Sequence, residues 1–171
     1  MGHAPIVKSL RWRDESATQR FANALAEEPG LRNAFIELRG DLGAGKTTLV
    51  RHLLRALGVQ GRVKSPTYAV VEPYELPDLH VWHFDFYRFS DPREWEDAGF
   101  RDIFASPGLK LAEWPDKAAG FIPKADLIIH LEAQDDDVRD VVLTAQTPTG
   151  RALLNSALAP DSTPTEPGAP P

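Results

Sequence analysis

The spacing of apolar residues changes abruptly near residue 40. Before it, Phe35, Ile36 and Leu38 form a short apolar run of strand-forming residues. After it, apolar residues recur at helical spacing, at Leu49, Val50, Leu53, Leu54 and Leu57. Gly58 suits the end of this helix, because glycine adopts the left-handed conformation of a helix C-terminus at little cost. The pattern therefore predicts a strand, a loop and a helix in that order.

A strand and a helix are also predicted upstream. Residues 6–13 have the pattern of an opening strand, and Asp14 is suited to cap the helix that follows. Pro29 and Gly30 are expected to end this helix. Its apolar face is predicted to carry Ala17, Phe21, Ala24 and Leu25.

Two further strands are predicted at residues 68–75 and 80–88. The link between them is short and contains Pro77 and Asp78. Such a link cannot hold a helical crossover, so the two strands are expected to pair antiparallel. The central sheet is therefore predicted to be mixed.

The rest of the chain predicts short helical turns and three more strands. A closing hairpin is indicated by residues 125–133 and 138–147, with three aspartates at its turn. A solvated turn explains these aspartates better than a cation site, because no glycine-spaced ligand loop accompanies them. The other elements are helical turns at 91–95 and 100–104, a strand at 109–114 and a helix beginning at Pro115.

Composition indicates one domain and excludes several classes of protein. With 42% hydrophobic residues among 171, the chain can build a single buried core. A net charge of −6 argues against a general electrostatic grip on nucleic acid. The absence of cysteine excludes disulfides and thiolate metal sites. No signal peptide or membrane span is apparent, so we expect a cytoplasmic protein.

The folded domain is expected to cover residues 5–158 and to end with a short helix at 151–158. Residues 159–171 form a proline-rich tail. Because this tail lacks large apolar side chains after residue 159, it cannot bury enough surface to offset its chain entropy, and we expect it to be disordered.

The predicted loop reads GDLGAGKT at residues 40–47 and fits the phosphate-binding template GxxxxGK[ST] at every required position. Its glycines allow backbone amides to face phosphate oxygens, and the following helix presents its positive end to the same anion. Lys46 would reach the β- and γ-phosphates, and the Thr47 hydroxyl would bind Mg²⁺. The alternative, a chance match in a glycine-rich turn, does not account for the flanking strand and helix. The absence of an NKxD tetrad, which would read guanine, favours ATP.

Hydrolysis also needs a carboxylate near the metal, and Asp85 is the candidate. It ends an apolar run, VWHFD, like the strand that carries the Walker B aspartate of other P-loop proteins. Strand alternation places His83, Asp85 and Tyr87 on one face, so the imidazole could brace the aspartate. The alternative is an edge-strand aspartate paired with Arg88, beside a structural histidine.

Many nucleotide hydrolases carry a glutamate directly after this aspartate, but Phe86 occupies that position. Glu113 is the candidate for orienting the attacking water, since an acid at the exit of a buried strand lies at the rim where such sites assemble. An ordinary strand-to-helix junction explains Glu113 equally well.

Three other polar residues are candidates on weaker grounds. Ser65 and Thr67, on either side of Pro66, could place two hydroxyls near the phosphates, although a simple turn explains them equally well. Arg88 is a possible internal source of positive charge.

Four motifs occur together in this chain: GDLGAGKT at residues 40–47, SPTY at 65–68, HFDFYR at 83–88 and EW at 113–114. In order and separation they resemble the bacterial TsaE family, known earlier as YjeE, of tRNA threonylcarbamoyladenosine biosynthesis ATPases. The first motif is shared by many proteins, whereas the set is specific. The resemblance covers roughly residues 31–122. Tyr68, where phenylalanine is common, and the proline-rich tail depart from the family pattern.

The resemblance implies an α/β protein, a P-loop NTPase-like three-layer sandwich whose mixed central sheet contains antiparallel hairpins. It also implies Mg²⁺-dependent ATP hydrolysis that assists two partners, TsaB and TsaD, in forming threonylcarbamoyladenosine at position 37 of tRNA. Hydrolysis would reset the complex, and tRNA would be met only through it. No membrane partner is expected.

The resemblance assigns roles to residues that match the motifs. Catalysis falls to Lys46, Asp85 and Glu113, and metal binding to Thr47, Asp85 and Glu113. Possible switch or support residues are Ser65, Thr67, His83, Tyr87 and Arg88. The nucleotide-binding residues are Gly40, Asp41, Leu42, Gly43, Ala44, Gly45, Lys46, Thr47, Thr48 and Trp114.

Two other functions stay open on the sequence. A small-molecule P-loop kinase would need an arginine-bearing lid, for which Arg93 and Arg101 lie in a suitable connecting stretch. A nucleotide-gated binding module would bind ATP without needing its hydrolysis. Product analysis separates the kinase from the ATPase.

Overall fold

The computed structural model describes residues 4–63, 70–89, 93 and 99–158, which form helices packed on one seven-stranded sheet. The strands are β1 (Ile6–Trp12), β2 (Phe35–Arg39), β3 (Val71–Leu76), β4 (Leu79–Asp85), β5 (Leu109–Glu113), β6 (Leu127–Ala133) and β7 (Arg139–Ala145). The helices are α1 (Glu15–Ala26), α2 (Lys46–Leu57), α3 (Phe100–Ala105) and α4 (Pro148–Leu158), with 3₁₀ turns at Pro29–Asn33 and Pro115–Ala118.

The sheet is mixed, as predicted. Its strand order is β1-β7-β6-β2-β5-β4-β3. The four central strands, β6, β2, β5 and β4, are parallel. Both predicted hairpins are confirmed, because β3 pairs antiparallel with β4 and β6 pairs antiparallel with β7. β1 closes one edge, antiparallel to β7.

Alternating side chains of the central strands feed two separate cores, one on each face of the sheet. On β2, Ile36 and Leu38 join the core that is covered by α1, α2 and α4. Phe35 points to the opposite core, which is largely aromatic and includes Phe84 of β4 and Phe100 of α3. Helices on both faces of a sheet give three layers, which confirms the predicted sandwich.

Several helix ends form where the sequence indicates. Asp14 caps α1, accepting a hydrogen bond from the Ala17 amide at 3.2 Å. Gly58 ends α2 in the left-handed conformation, with φ of 110°. The apolar face of α1 differs in detail from the prediction: Ala17 and Ala24 are only partly buried, and the buried residues are Thr18, Phe21, Ala22 and Leu25.

The predicted extent of β4 was wrong, because the strand ends at Asp85 instead of residue 88. The Asp85 carboxylate accepts a hydrogen bond from the Tyr87 amide at 3.0 Å, which turns the chain. Pro115 begins a 3₁₀ turn and not a longer helix. The predicted helical turn at 91–95 lies outside the described residues apart from Arg93, and the tail at 159–171 lies wholly outside them.

Candidate functional site

The glycine loop, residues 40–47, connects the end of β2 to the first turn of α2, as the sequence predicts. Gly40, Gly43 and Gly45 have φ values of 141°, 83° and 107°, which side-chain-bearing residues rarely adopt. At Gly40 a Cβ atom would also lie 2.4 Å from the carbonyl oxygen of Leu131. The first amides of α2 have no carbonyl one turn earlier within the helix, so this end of the helix attracts anions.

Lys46 is buried at the start of α2, and its ammonium group points back to the loop. It donates a hydrogen bond to the carbonyl oxygen of Gly40 and lies 3.8 Å from the centre of the Trp114 ring. Burial lowers the pKa of Lys46, and the nearby carboxylates of Glu113 and Asp85 oppose this shift. The lysine therefore occupies a site where an anionic ligand would be favourable.

Glu113 is 3% exposed and ends β5, directly beside β2. Its carboxylate oxygens Oε1 and Oε2 lie 3.4 Å and 3.3 Å from the Thr47 hydroxyl oxygen. One of these oxygens, Oε2, lies 2.7 Å from Nε2 of His83. The structure thus brings together Thr47 and Glu113, two of the residues that the sequence assigns to metal binding. His83 contacts Glu113, whereas the sequence led us to expect that it braces Asp85.

Asp85 is partly buried at the end of β4, in register with Glu113 on β5. Burial raises the pKa of Asp85, and the Glu113 carboxylate adds to this shift. The Tyr87 amide is the largest of the opposing influences, followed by His83 and Lys46. Arg88 is exposed and makes no ion pair with Asp85 within the described part of the chain, so the alternative of an Asp85–Arg88 pair is not supported.

Trp114 and Tyr87 form an aromatic wall beside Lys46. Their ring centres are 5.0 Å apart, and Tyr87 is 41% exposed. Trp114 has φ of 58° and ψ of 48°, a left-handed conformation that is uncommon for a bulky residue and that aims the chain into the next turn. Ser65 and Thr67, the other predicted support residues, lie outside the described residues.

Arg139 contacts the glycine loop, although the sequence did not identify it as a candidate site residue. It begins β7, and its Nε donates to the carbonyl oxygen of Ala44 at 2.9 Å. A Cβ atom at Gly45 would lie 3.3 Å from the same nitrogen. The sequence showed only that Arg139 follows the turn of the closing hairpin. Its position beside the loop becomes clear only from the strand order, because β6 lies next to β2 and β7 lies next to β6.

Three cavities that are lined by described residues adjoin the glycine loop. A cleft of about 270 Å³ is lined by the polar groups of Lys46, Thr47, Asp85 and Glu113, with Tyr87 and Trp114. A cavity of about 150 Å³ lies between the loop and the start of α1, and it shares Gly45, Thr48 and Arg139 with the cleft. The third, of about 620 Å³, has charged groups from Arg39, Asp41, Asp116 and Glu132 in its lining.

The cleft offers oxygen donors for a cation: the Thr47 hydroxyl and the carboxylates of Asp85 and Glu113. In the described ranges no cluster of three or more histidine, cysteine or acidic residues could hold a metal by itself. This donor set suits Mg²⁺, which commonly takes one or two protein carboxylates together with phosphate oxygens and water. It does not suit a metal held entirely by protein.

A family model and two curated proteins that match this chain all carry the name TsaE. A family model described as "Threonylcarbamoyl adenosine biosynthesis protein TsaE" matches residues 12–141. A Haemophilus influenzae protein named tRNA threonylcarbamoyladenosine biosynthesis protein TsaE is 41% identical over 138 residues, covering 81% of this chain and 87% of its own. The Bacillus subtilis protein of that name is 34% identical over 143 residues, with the same coverages.

A solved structure has the same architecture. The crystal structure of YdiB from Bacillus subtilis superposes with a TM-score of 0.74 and 25% sequence identity. The superposition covers 93% of this chain and 99% of that one. Separately, none of the helices in the described residues combines the length and the apolar character needed to cross a bilayer.

We expect Asp85→Asn to raise the melting temperature of the ligand-free protein at pH 7. Burial raises the pKa of Asp85 in the folded state, so ionised Asp85 costs folding free energy above that pKa. An asparagine keeps an oxygen for the Tyr87 amide and carries no charge. The gain should shrink as the pH falls toward about 4 and the wild-type carboxyl becomes neutral.

Differential scanning calorimetry with EDTA and without nucleotide measures this effect. Asp78→Asn is the control, because Asp78 lies in the exposed β3–β4 turn. An Asp85→Asn protein that is less stable than wild type at pH 7 would show that the carboxylate stabilises the ligand-free fold.

Proposed function

The chain belongs to the TsaE family, and on this premise we propose that it is a Mg²⁺-dependent ATPase acting in tRNA threonylcarbamoyladenosine biosynthesis. It assists TsaB and TsaD in forming threonylcarbamoyladenosine at position 37 of tRNA, and hydrolysis resets their complex. One observation carries the proposal: Lys46, Thr47, Asp85 and Glu113 line a single cleft at the mouth of the glycine loop.

The triphosphate binds in the glycine loop, against the positive end of α2. Lys46 leaves the Gly40 carbonyl oxygen and turns to the β- and γ-phosphates. This exchange is favourable, because a buried ammonium group gains an anionic partner in place of a neutral carbonyl. The Trp114 ring, 3.8 Å from the Lys46 ammonium, stabilises the positive charge and limits the range of the side chain.

The Thr47 hydroxyl and the carboxylates of Asp85 and Glu113 would hold Mg²⁺, with Asp85 in direct or water-mediated contact. When bound, the metal neutralises negative charge on the β- and γ-phosphate oxygens. Such neutralisation is needed here, because Asp41, Asp85 and Glu113 all place negative charge around Lys46.

Glu113 orients the attacking water. Its carboxylate lies at the cleft, and one of its oxygens lies 2.7 Å from Nε2 of the fully buried His83, a contact that reduces the freedom of the glutamate side chain. A carboxylate within hydrogen-bond reach of water can align it and accept its proton as it attacks the γ-phosphate. The released phosphate and ADP are the products.

The adenine end of ATP lies in the cavity between the loop and α1. This cavity continues from the cleft across Thr48 and Arg139, away from Asp85 and Glu113. The phosphates therefore lie in the cleft, near Lys46 and the carboxylates that would hold Mg²⁺. The nucleoside extends past Thr48 toward Trp12. Arg139 stands at the junction and brings a positive charge to both spaces.

A partner is expected to raise the rate. Among the described residues that line the cleft, Lys46 and Arg139 are the cations, and Arg139 already binds the Ala44 carbonyl. A further cation supplied by a partner is worth about 10³ to 10⁵ in rate in other P-loop proteins. The net charge of −6 agrees with a protein that meets tRNA through TsaB and TsaD instead of binding it directly.

Phosphate release from ATP, with and without purified TsaB and TsaD, tests the proposed activity. We expect the partners to stimulate release and Lys46→Ala to abolish it. Glu113→Gln should lower kcat by about 10² to 10⁴ while ATP still binds. Lys110→Ala is a matched control, because Lys110 is also buried, donates to a carbonyl oxygen and lies 5.3 Å from a tryptophan ring, but does not line the cleft.

The same assay separates the alternatives. Transfer of the phosphate to a metabolite instead of water would identify a kinase. Full tRNA modification by a Glu113→Gln protein that no longer hydrolyses ATP would identify a nucleotide-gated binding module. Equal loss of activity in Lys46→Ala and Lys110→Ala would remove the case for a specific phosphate lysine.

Arg139→Ala is expected to weaken ATP binding by about tenfold, because it removes a charged donor from the wall of the nucleotide site. Isothermal titration with a non-hydrolysable ATP analogue and Mg²⁺ measures this loss. Arg11→Ala is the control, since Arg11 is exposed and pairs with Asp140 on the neighbouring strand. Unchanged affinity in Arg139→Ala would exclude Arg139 from the binding site.

A further inference from the structure

His83 is the most deeply buried ionisable group next to the candidate site. It has no exposed surface, and its Nε2 lies 2.7 Å from Oε2 of Glu113. Its other ring nitrogen, Nδ1, has no hydrogen-bond partner among the described residues. On the same face of β4 it is flanked by Asp85 and by Val81, which is apolar and fully buried. Its cross-strand neighbours are the buried Leu111 of β5 and Glu72 of β3.

The hydrogen-bond partners determine which ring nitrogen carries the proton. The role proposed for Glu113 requires an ionised carboxylate, which only accepts hydrogen bonds, so Nε2 donates to it in that state. A proton on Nδ1 would be a buried donor without an acceptor in the described part of the chain, which costs free energy. The arrangement therefore places the donated proton on Nε2.

We propose that His83 is a positioning residue for Glu113 in the ATPase reaction, a role that rests on the function proposed above. The imidazole N–H holds Oε2 of Glu113, and in this position of the carboxylate both of its oxygens lie within 3.4 Å of the Thr47 hydroxyl. A glutamate at the end of a strand otherwise has several rotatable bonds. Fixing one oxygen before ATP binds removes that freedom in advance of the chemical step.

The cost of this arrangement indicates that it serves more than packing. A fully buried imidazole that makes one hydrogen bond to the described residues, and whose Nδ1 has no partner among them, is less favourable than an apolar side chain of similar volume. The second core, on the other face of the sheet, fills the neighbouring β4 position with Phe84. A histidine in place of an apolar residue at position 83 is therefore explained by what its N–H does for Glu113.

Two amide variants form a matched pair that tests the role. In His83→Gln the amide nitrogen is as many bonds from Cα as Nε2 of histidine, so it can still donate to Glu113. In His83→Asn the amide nitrogen is one bond closer to Cα, at the position of Nδ1, and cannot reach Glu113. Both bury one uncharged amide, so they share its general cost.

We expect His83→Asn to lower kcat for partner-stimulated phosphate release by about 10 to 100-fold. The KM for ATP should change little, because the glycine loop and Lys46 are untouched. His83→Gln should recover most of the lost rate. In a Glu113→Gln background, His83→Asn should add no further loss, because the histidine acts only through that carboxylate.

Nitrogen NMR of the ligand-free protein with ¹⁵N-labelled histidine gives a readout that does not depend on activity. The His83 signals, identified by their loss in His83→Gln, should show a protonated Nε2 and a bare Nδ1. A proton on Nδ1 alone would overturn the assignment, because Nε2 could not then donate to Glu113.

The outcomes separate the two proposals. If the wild-type protein with TsaB and TsaD releases no phosphate, the proposed function fails, whatever the NMR result. If the wild type is active and His83→Asn matches it, or if His83→Gln is as impaired as His83→Asn, the positioning role is overturned. Circular dichroism confirms that each variant is folded, and the NMR test on the wild type stands even if His83→Asn does not fold.

Discussion

The parallel pairing of β5 between β2 and β4 determines where every acidic group of the cleft lies. In this register Leu38 of β2 is opposite Glu113, and Glu113 is opposite Asp85 of β4. The three strands therefore end together, at the edge where β2 gives way to the glycine loop. A slip of one residue in β5 would turn Glu113 to the other face of the sheet, away from Thr47.

The same pairing concentrates charge in a partly buried space, which is costly in the absence of a ligand. Lys46 and Glu113 are almost completely buried. Burial lowers the pKa of Lys46 and raises the pKa of Asp85, so it disfavours the charged form of each group. A polyphosphate with a divalent cation would satisfy both signs of charge. The two apolar cores, on opposite faces of the sheet, hold the strands together while the site carries this cost.

Local features were predictable from the sequence because each is determined by neighbouring residues. The glycine loop, the Asp14 cap, the Gly58 helix end and both hairpins belong to this class, since turn length, capping side chains and glycine freedom act over a few residues. The end of β4 was misjudged because the Asp85 side chain binds its own chain two residues later. An alternating pattern does not reveal that contact.

The contacts between distant segments were not predictable in this way. Arg139 is 95 residues from its partner Ala44, and His83 is 30 residues from Glu113. The periodicity of a sequence predicts on which face of a strand a residue lies, but it does not predict which strand will be its neighbour. The importance of Trp114 came from the family resemblance, and the structure adds a physical contact, its ring beneath the Lys46 ammonium.

The central claim is that the glycine loop encloses a triphosphate whose far end is neutralised by Lys46. A crystal structure with a non-hydrolysable ATP analogue and Mg²⁺ tests it most directly. The account predicts the phosphates within the loop, the Lys46 ammonium released from the Gly40 carbonyl and bound to phosphate oxygen, and the base beside Thr48. A ligand bound elsewhere, with Lys46 still on Gly40, would contradict it.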